Sequence, residues 1–104
     1  MQRAKFAPTA TLLALTVLAA ASARAQAPLA AQGCVVCHGP GGSGSAALPA
    51  IAGRSAAELQ TALVEFRANT RPGTIMGRIA RGYTEAEITA LAAYFAQLPP
   101  GGTR

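Results

Sequence analysis

Both cysteines of the chain and its single histidine lie together in the segment Cys34-Val35-Val36-Cys37-His38. In a C-x-x-C-H segment the two thiols stand one helical turn apart and can add across the two vinyl groups of a haem, while the adjacent histidine reaches the iron. The spacing therefore predicts one covalent c-type haem attached through Cys34 and Cys37, with His38 as an iron ligand.

Three other interpretations of the two cysteines remain open. A disulfide between Cys34 and Cys37 would close a ring of four residues and stabilise little, because the entropic gain grows with loop length. A thioredoxin-like redox pair needs a βαβ context, for which the sequence shows no pattern. Zinc takes four ligands, and the chain offers two cysteines, one histidine and four dispersed glutamates. Covalent haem is the interpretation that these comparisons favour.

A second iron ligand can be sought by elimination. Once Met1 leaves with an N-terminal signal, Met76 is the only methionine. A lone methionine is more often core filler than a ligand, but Met76 lies in a glycine-flanked segment 38 residues after His38, which is enough chain to pass around a flat cofactor. A thioether opposite an imidazole raises the reduction potential and closes both axial positions of the iron. Such an iron is suited to electron transfer rather than to binding oxygen or a substrate.

The elements that must position these residues are predicted to be three main helices with long connections rich in glycine and proline. A short helix over Gln26–Val36 leads into the cysteine motif, with Pro28 tolerated in its first turn. Gly39–Ala50 is low in large apolar residues and rich in Gly and Ser, so it is predicted to be a loop. Ile75–Arg81 has room for a single helical turn. No convincing strand pattern occurs, and the predicted fold class is all-α.

Two capping boxes mark the starts of the second and third helices. Ser55 with Glu58 precedes an amphipathic stretch of about fifteen residues that is predicted to end at Arg71-Pro72-Gly73. Thr84 with Glu87 precedes a helix that runs to Pro99-Pro100. The apolar stripe of this last helix consists of Ile88, Leu91, Ala92, Phe95 and Leu98.

Residues 1–25 are predicted to be a secretory signal peptide. Arg3 and Lys5 precede the apolar run Ala10–Ala21, and Ala23-Arg24-Ala25 has the small-x-small pattern of a cleavage site. The run is shorter than the ~20 residues that span a bilayer. We therefore expect cleavage near Ala25, a mature domain over 26–104 in the periplasm, and no stable membrane span.

Composition limits the possible partners. The formal charge of +5 and the pI near 10.3 raise the question of nucleic acid. The chain has 5% aromatic residues and no Trp, so stacking platforms for bases are scarce. Without residues 1–25, six arginines face four glutamates, a net charge of +2, and two haem propionates would bring the total near zero. Nucleic acid is therefore not expected as a partner.

The size of the mature domain also points to a bound group. It would hold 79 residues, of which 17 are Gly or Pro. A chain this small seldom has a sufficient apolar core of its own. We expect that something other than side chains fills its centre.

The sequence resembles class I c-type cytochromes over essentially the whole mature chain. A more particular stretch, Arg71-Pro72-Gly73-Thr74-Ile75-Met76-Gly77-Arg78-Ile79-Ala80-Arg81-Gly82-Tyr83, is similar to the haem subunit of flavocytochrome c sulfide dehydrogenase. The segments that carry the general resemblance are Cys34-Cys37-His38, Leu48-Pro49-Ala50-Ile51-Ala52-Gly53, Met76 and the end of the last helix, Ala92-Ala93-Tyr94-Phe95.

The resemblance implies a role for each matching residue. Cys34 and Cys37 would carry the thioethers, His38 would be the proximal ligand and Met76 the distal ligand. The carbonyl of Pro49 would accept the ring N–H of His38 and so fix the orientation of the imidazole. The first and last helices would cross, which would bring the Gly33 region against Tyr94 and Phe95.

The resemblance also implies a function and a partner. In such complexes the FAD of a flavoprotein subunit takes electrons from sulfide, and the cytochrome subunit, itself not a catalyst, passes them singly to a downstream acceptor. With one C-x-x-C-H motif, this would be a one-haem version. The alternative is a free mono-haem cytochrome c that diffuses to an oxidase or another dehydrogenase. Arg71, Arg78 and Arg81 either form a basic docking rim or are solvated or paired with haem propionates.

Overall fold

The computed structural model describes residue 3 and residues 27–101. The predicted signal peptide, apart from that one residue, lies outside the described residues, as do residues 26 and 102–104. Over residues 27–101 the chain forms helices, turns and loops with no strand, which confirms the all-α prediction. The α-helices are α1 (Ala31–His38), α2 (Ala56–Arg67), α3 (Met76–Ala80) and α4 (Glu85–Gln97), and a 3-10 turn covers Pro40–Gly42.

Helix α1 begins later and ends later than the predicted Gln26–Val36. The Ala31 amide donates to the Pro28 carbonyl at 2.9 Å, so the chain makes a turn before the helix begins. The helix ends at His38 because Gly39 has a φ of +84°, a left-handed conformation that glycine adopts readily. The whole Cys-x-x-Cys-His motif is therefore helical, and its two thiols lie one turn apart.

Helices α2 and α4 begin at the two predicted capping boxes. The Glu58 amide donates to the Ser55 hydroxyl at 3.1 Å, and the Glu87 amide donates to the Thr84 hydroxyl at 3.2 Å. Each glutamate carboxylate in turn accepts from the amide of its capping residue, at 3.3 and 2.7 Å. The backbone donors that a helix start leaves without partners are thus partly satisfied in both helices.

Helix α2 is shorter than predicted. It ends at Arg67 rather than at Arg71-Pro72-Gly73. Asn69 adopts a φ of +60°, and the Thr70 amide donates to the Glu65 carbonyl at 2.9 Å. This is the reversal that ends many helices, with Asn in the position usually taken by Gly. The segment 68–75 is therefore not part of the helix and forms the connection from α2 to α3.

The core lies where α4 packs against α2 and the start of α1. Ile88 and Leu91 of α4 are fully buried. The apolar stripe predicted for α4 faces inward as expected, apart from Leu98, which lies beyond the helix end and is partly buried. The buried cluster comprises Ala31, Leu59, Leu91, Ala92 and Phe95.

The loop after α1 folds back onto α4 through a close contact at Gly42. An added Cβ at Gly42 would lie 2.8 Å from an Ile51 side-chain carbon and 3.0 Å from the Phe95 ring. The Gly42 carbonyl accepts from the Ile51 and Ala52 amides at 2.9 and 3.1 Å. These contacts fix the path of the loop that carries Pro49 past His38.

Candidate functional site

A largely apolar cavity of about 430 Å³ opens among the four helices and the loop after α1. Its volume is in the range of sites for small molecules and cofactors. Cys34, Cys37, His38 and Met76 all line it, so the residues that sequence analysis singled out share one cavity. The other lining residues are Gly33, Ala47, Leu48, Pro49, Ile51, Arg54, Leu59, Ala62, Leu63, Phe66, Arg71, Gly73, Thr74, Ile75, Ile79, Tyr83, Leu91, Ala92 and Phe95.

His38 is buried, with 8% of its surface exposed. Its ring Nδ1 donates to the Pro49 carbonyl oxygen at 2.7 Å. Because a carbonyl oxygen can only accept, this contact requires a proton on Nδ1 and leaves Nε2 of the neutral ring with a free lone pair. A neutral imidazole held through its other nitrogen is the usual form of a histidine that binds a metal.

The two cysteine thiols are free in this structure, and both line the cavity. Cys34 is half-buried and Cys37 is exposed. Burial raises the pKa of the Cys34 thiol, and a hydrogen bond with Tyr83 partly offsets this rise. Within residues 27–101 no group of three or more His, Cys, Asp or Glu side chains is placed to hold a metal ion, so the zinc interpretation finds no ligand set there.

Met76 is the first residue of α3 and is half-buried at the cavity wall. The one helical turn for which Ile75–Arg81 has room is present as α3. This short helix packs against α2. Met76 thus enters the cavity from the chain segment that follows α2, whereas His38 enters it from α1.

Among the arginines, the structure places Arg54 and Arg71 at the cavity. Arg78 and Arg81, which sequence analysis grouped with Arg71 as a basic rim, do not line it. The Arg81 Nε donates instead to the Gly77 carbonyl at 3.1 Å. Arg54 was not among the predicted site residues, although it directly follows the segment Leu48–Gly53 that carries the family resemblance.

Arg71 is held against α2. Its Nε lies 2.7 Å from the Glu65 Oε2, in an ion pair whose side chains are 41% and 40% exposed. Its guanidinium carbon lies 5.7 Å from the centre of the Phe66 ring, within the range of a cation–π contact.

Tyr83 is a second site residue that sequence analysis missed. A Cβ built on Gly33 would have the Tyr83 hydroxyl oxygen as its neighbour at 3.9 Å. The predicted approach of α1 to the end of α4 is seen beside Gly33, where Ala31 shares the buried cluster with Phe95, and Cys34 and Tyr94 pack against that cluster. The connection between α3 and α4 is short, and it delivers Tyr83 to the cavity wall beside α1. Tyr94 and Phe95 also make an edge-to-face contact with each other, with ring centres 5.1 Å apart.

Comparison with known proteins identifies the family. The family model described as Cytochrome c matches residues 22–99. The chain belongs to the cytochrome c family. Its all-helical fold agrees with this assignment. A solved structure of cytochrome c4 from Acidithiobacillus ferrooxidans superposes with a TM-score of 0.62 at 28% identity, over 94% of this chain and 55% of that chain.

Two kinds of curated relative resemble this cytochrome. The cytochrome subunit of sulfide dehydrogenase from Chlorobaculum tepidum is 45% identical over 65 residues, which cover 62% of this chain and 59% of the relative. Proteins named thiosulfate dehydrogenase electron acceptor are 45% identical in Stutzerimonas stutzeri, over 62% of this chain and 32% of the relative. The protein of the same name from Thiomonas intermedia is 35% identical over 94% of this chain and 48% of the relative. The chain thus spans between a third and three fifths of the length of these relatives.

Membership of the family gives this cytochrome a covalently bound haem c and a role in electron transfer. The residues present fit that group. The cavity is largely apolar, a buried histidine is held through Nδ1 by the Pro49 carbonyl, and two free thiols lie one helical turn apart at the same wall. No helix among the described residues has the length and apolar character needed to cross a membrane.

Proposed function

We propose that this cytochrome is a periplasmic electron-transfer subunit that accepts electrons from an FAD-containing sulfide dehydrogenase subunit and passes them to a downstream acceptor. The observation that carries the proposal is the single cavity that joins Cys34, Cys37 and His38 to Met76. The resemblance of residues 71–83 to the haem subunit of flavocytochrome c, together with the Chlorobaculum relative, supports the choice of partner.

In this proposal Cys34 and Cys37 would hold the haem through thioethers, and His38 and Met76 would ligate its iron. The haem supplies a reversible one-electron couple. The Pro49 carbonyl holds the His38 ring through Nδ1. This hydrogen bond fixes the orientation of the imidazole, so the ring would not have to turn before Nε2 binds the iron. Arg54 lines the cavity and would be available to neutralise a propionate carboxylate, whereas Arg71 is already paired with Glu65.

The side chains outside the haem site support a carrier rather than a catalyst. Glu58 and Glu87 serve as helix caps, and Glu65 is paired with Arg71. Within residues 27–101 this leaves Glu85 as the acidic side chain with no such role, on the exposed first turn of α4. The oxidation of sulfide would therefore take place on the flavoprotein subunit.

The proposed location follows from residues 1–25 and from the cofactor. We propose that the signal peptide is cleaved near Ala25, and that residues 26–104 form one mono-haem domain. Covalent attachment of haem c takes place outside the inner membrane. A signal peptide that exports the chain would bring it to the compartment where the haem is attached. The mature N-terminus, read by sequencing of the purified protein, should be Gln26 or a residue beside it.

The proposal is tested by purifying the haem-loaded protein from its native source without a tag. A co-purifying protein that contains FAD, together with reduction of the haem on addition of sulfide, is the expected result. Haem should remain on the polypeptide after extraction with acidified acetone. A colourless polypeptide would overturn the haem site, and a red protein that no sulfide-oxidising flavoprotein reduces would overturn the choice of partner.

A second candidate is a carrier that serves a thiosulfate dehydrogenase or an oxidase without a permanent flavoprotein partner. The Stutzerimonas and Thiomonas relatives carry names of this kind, and this observation favours the candidate. The dependence on ionic strength distinguishes the diffusing carrier from the permanent subunit. A diffusing carrier docks through a small charged patch, so its turnover should fall as ionic strength rises. A permanent subunit should stay bound to its partner at the same ionic strength.

A further inference from the structure

The segment that leads to Met76 is held against α2 by a group of four residues, which we call the α2 clamp. The Arg71 Nε lies 2.7 Å from the Glu65 Oε2, and the Arg71 guanidinium lies 5.7 Å from the centre of the Phe66 ring. Gly73 lies so close to the same ring that an added Cβ would be 2.8 Å from a Phe66 ring carbon. Glu65 and Phe66 belong to α2, whereas Arg71 and Gly73 belong to the connection that ends at Met76.

The position of the clamp ties it to the cavity. Phe66, Arg71, Gly73 and Met76 all contribute to the cavity wall. If Met76 moves away from the cavity, the preceding segment must move with it, because Met76 follows Gly73 by only three residues. That movement separates Arg71 and Gly73 from their partners on α2. The contacts of the clamp are made in this structure, where Met76 lines the cavity, and an opening of the segment would break them.

We propose that Glu65 and Arg71 are positioning residues that keep the Met76 segment closed over the haem and so protect the iron from added ligands. The inference rests on the proposed role of Met76 as axial ligand. Because the ion pair is about two fifths exposed, it contributes modestly and is weakened by salt. The cation–π contact adds to it, so the closed state is favoured about three- to tenfold by the pair of contacts.

The test measures the affinity of imidazole for the ferric haem-loaded protein, by optical titration at low salt. Arg71→Gln is expected to bind imidazole about three- to tenfold more tightly than the parent, and Glu65→Gln, which keeps the contact between Arg71 and Phe66, should show a smaller gain in the same direction. The double variant should resemble Arg71→Gln, because both changes break the same pair. Arg71→Lys keeps the charge and loses the planar stack on Phe66, and it should fall between the parent and Arg71→Gln.

Two control variants each remove a charge of the same sign at a residue outside the α2 clamp. Arg78→Gln removes a positive charge two residues beyond Met76, at a side chain that lies in no ion pair among residues 27–101. Glu85→Gln removes a negative charge on the exposed start of α4. Both should bind imidazole as the parent does. Added salt should raise the affinity of the parent for imidazole and leave that of Arg71→Gln nearly unchanged. This comparison tests the ion pair in the parent protein itself, so a variant that folds poorly cannot confuse the result.

The outcomes distinguish the clamp from the axial ligand. Tight imidazole binding by Met76→Ala, with parental affinity in Glu65→Gln and Arg71→Gln, overturns the clamp and leaves the ligand assignment intact. Parental affinity in Met76→Ala overturns both. Equal gains in Arg78→Gln and Arg71→Gln would show a general effect of charge and would also overturn the clamp.

Discussion

Replacement of Gly42 by alanine should destabilise the protein strongly, because two costs coincide at this residue. Gly42 has a φ of +76°, where an L side chain costs about 1–2 kcal/mol. The new Cβ would also lie 2.8 Å from Ile51 and 3.0 Å from the Phe95 ring. Such overpacking in a core costs about 1–3 kcal/mol. The free energy of unfolding of Gly42→Ala should therefore fall by roughly 2–5 kcal/mol.

The assay is denaturant unfolding of the haem-loaded protein, followed by haem absorbance and by far-ultraviolet circular dichroism. Gly101→Ala is the matched control, because Gly101 also has a positive φ, +90°, but a Cβ there would have no neighbour within 4 Å. Its loss should not exceed the conformational cost of about 1–2 kcal/mol. If Gly42→Ala unfolds at the same denaturant concentration as Gly101→Ala, the close contact of Gly42 with Ile51 and Phe95 is not rigid and the reasoning fails.

Three further predictions concern the haem site and a helix cap. Met76→Ala should keep its haem and bind carbon monoxide in the ferrous form, whereas a parental spectrum and affinity would exclude Met76 as a ligand. Cys37→Ala should hold the haem through Cys34 alone and keep one vinyl group conjugated, so that the absorption bands of its pyridine haemochrome move to longer wavelength. Bands at the parental wavelength would show that Cys37 forms no thioether. Thr84→Ala removes the cap of α4 and should cost about 1 kcal/mol, a loss of roughly 4–8 °C in the thermal midpoint. Thr89→Ala, on an exposed turn of the same helix, should stay within about 0.5 kcal/mol of the parent, and an equal loss in both would argue against the cap.

The parts of the fold that could be predicted from sequence are those set by local rules. Ser55 with Glu58 and Thr84 with Glu87 predicted the helix starts correctly, because a capping box satisfies backbone donors within four residues. The stripe of α4 was predicted because a period of 3.6 residues places its apolar side chains on one face.

The errors arose where the outcome depends on backbone conformation or on distant contacts. The end of α2 is set by the left-handed Asn69, whereas the prediction placed the end at the later Arg71-Pro72-Gly73. Tyr83 reaches Gly33 across fifty residues of sequence, a contact that only the assembled fold creates. The cysteine motif and Met76 share a cavity as expected, whereas Arg54 was missed because a lone arginine in a loop has no distinguishing spacing.

Because the Pro49 carbonyl must reach the His38 ring, the site depends on the number of residues in the loop between them. The acceptor of the His38 hydrogen bond is a main-chain atom, so a substitution at Pro49 that preserves the backbone path would leave the acceptor in place. Inserting or deleting one residue between His38 and Pro49 would shift the carbonyl away from Nδ1. The intervening loop already depends on four left-handed glycines, Gly39, Gly41, Gly42 and Gly44. Surface loops usually accept changes in length. We expect this loop to accept none, because its Pro49 carbonyl must stay within hydrogen-bond distance of the His38 ring.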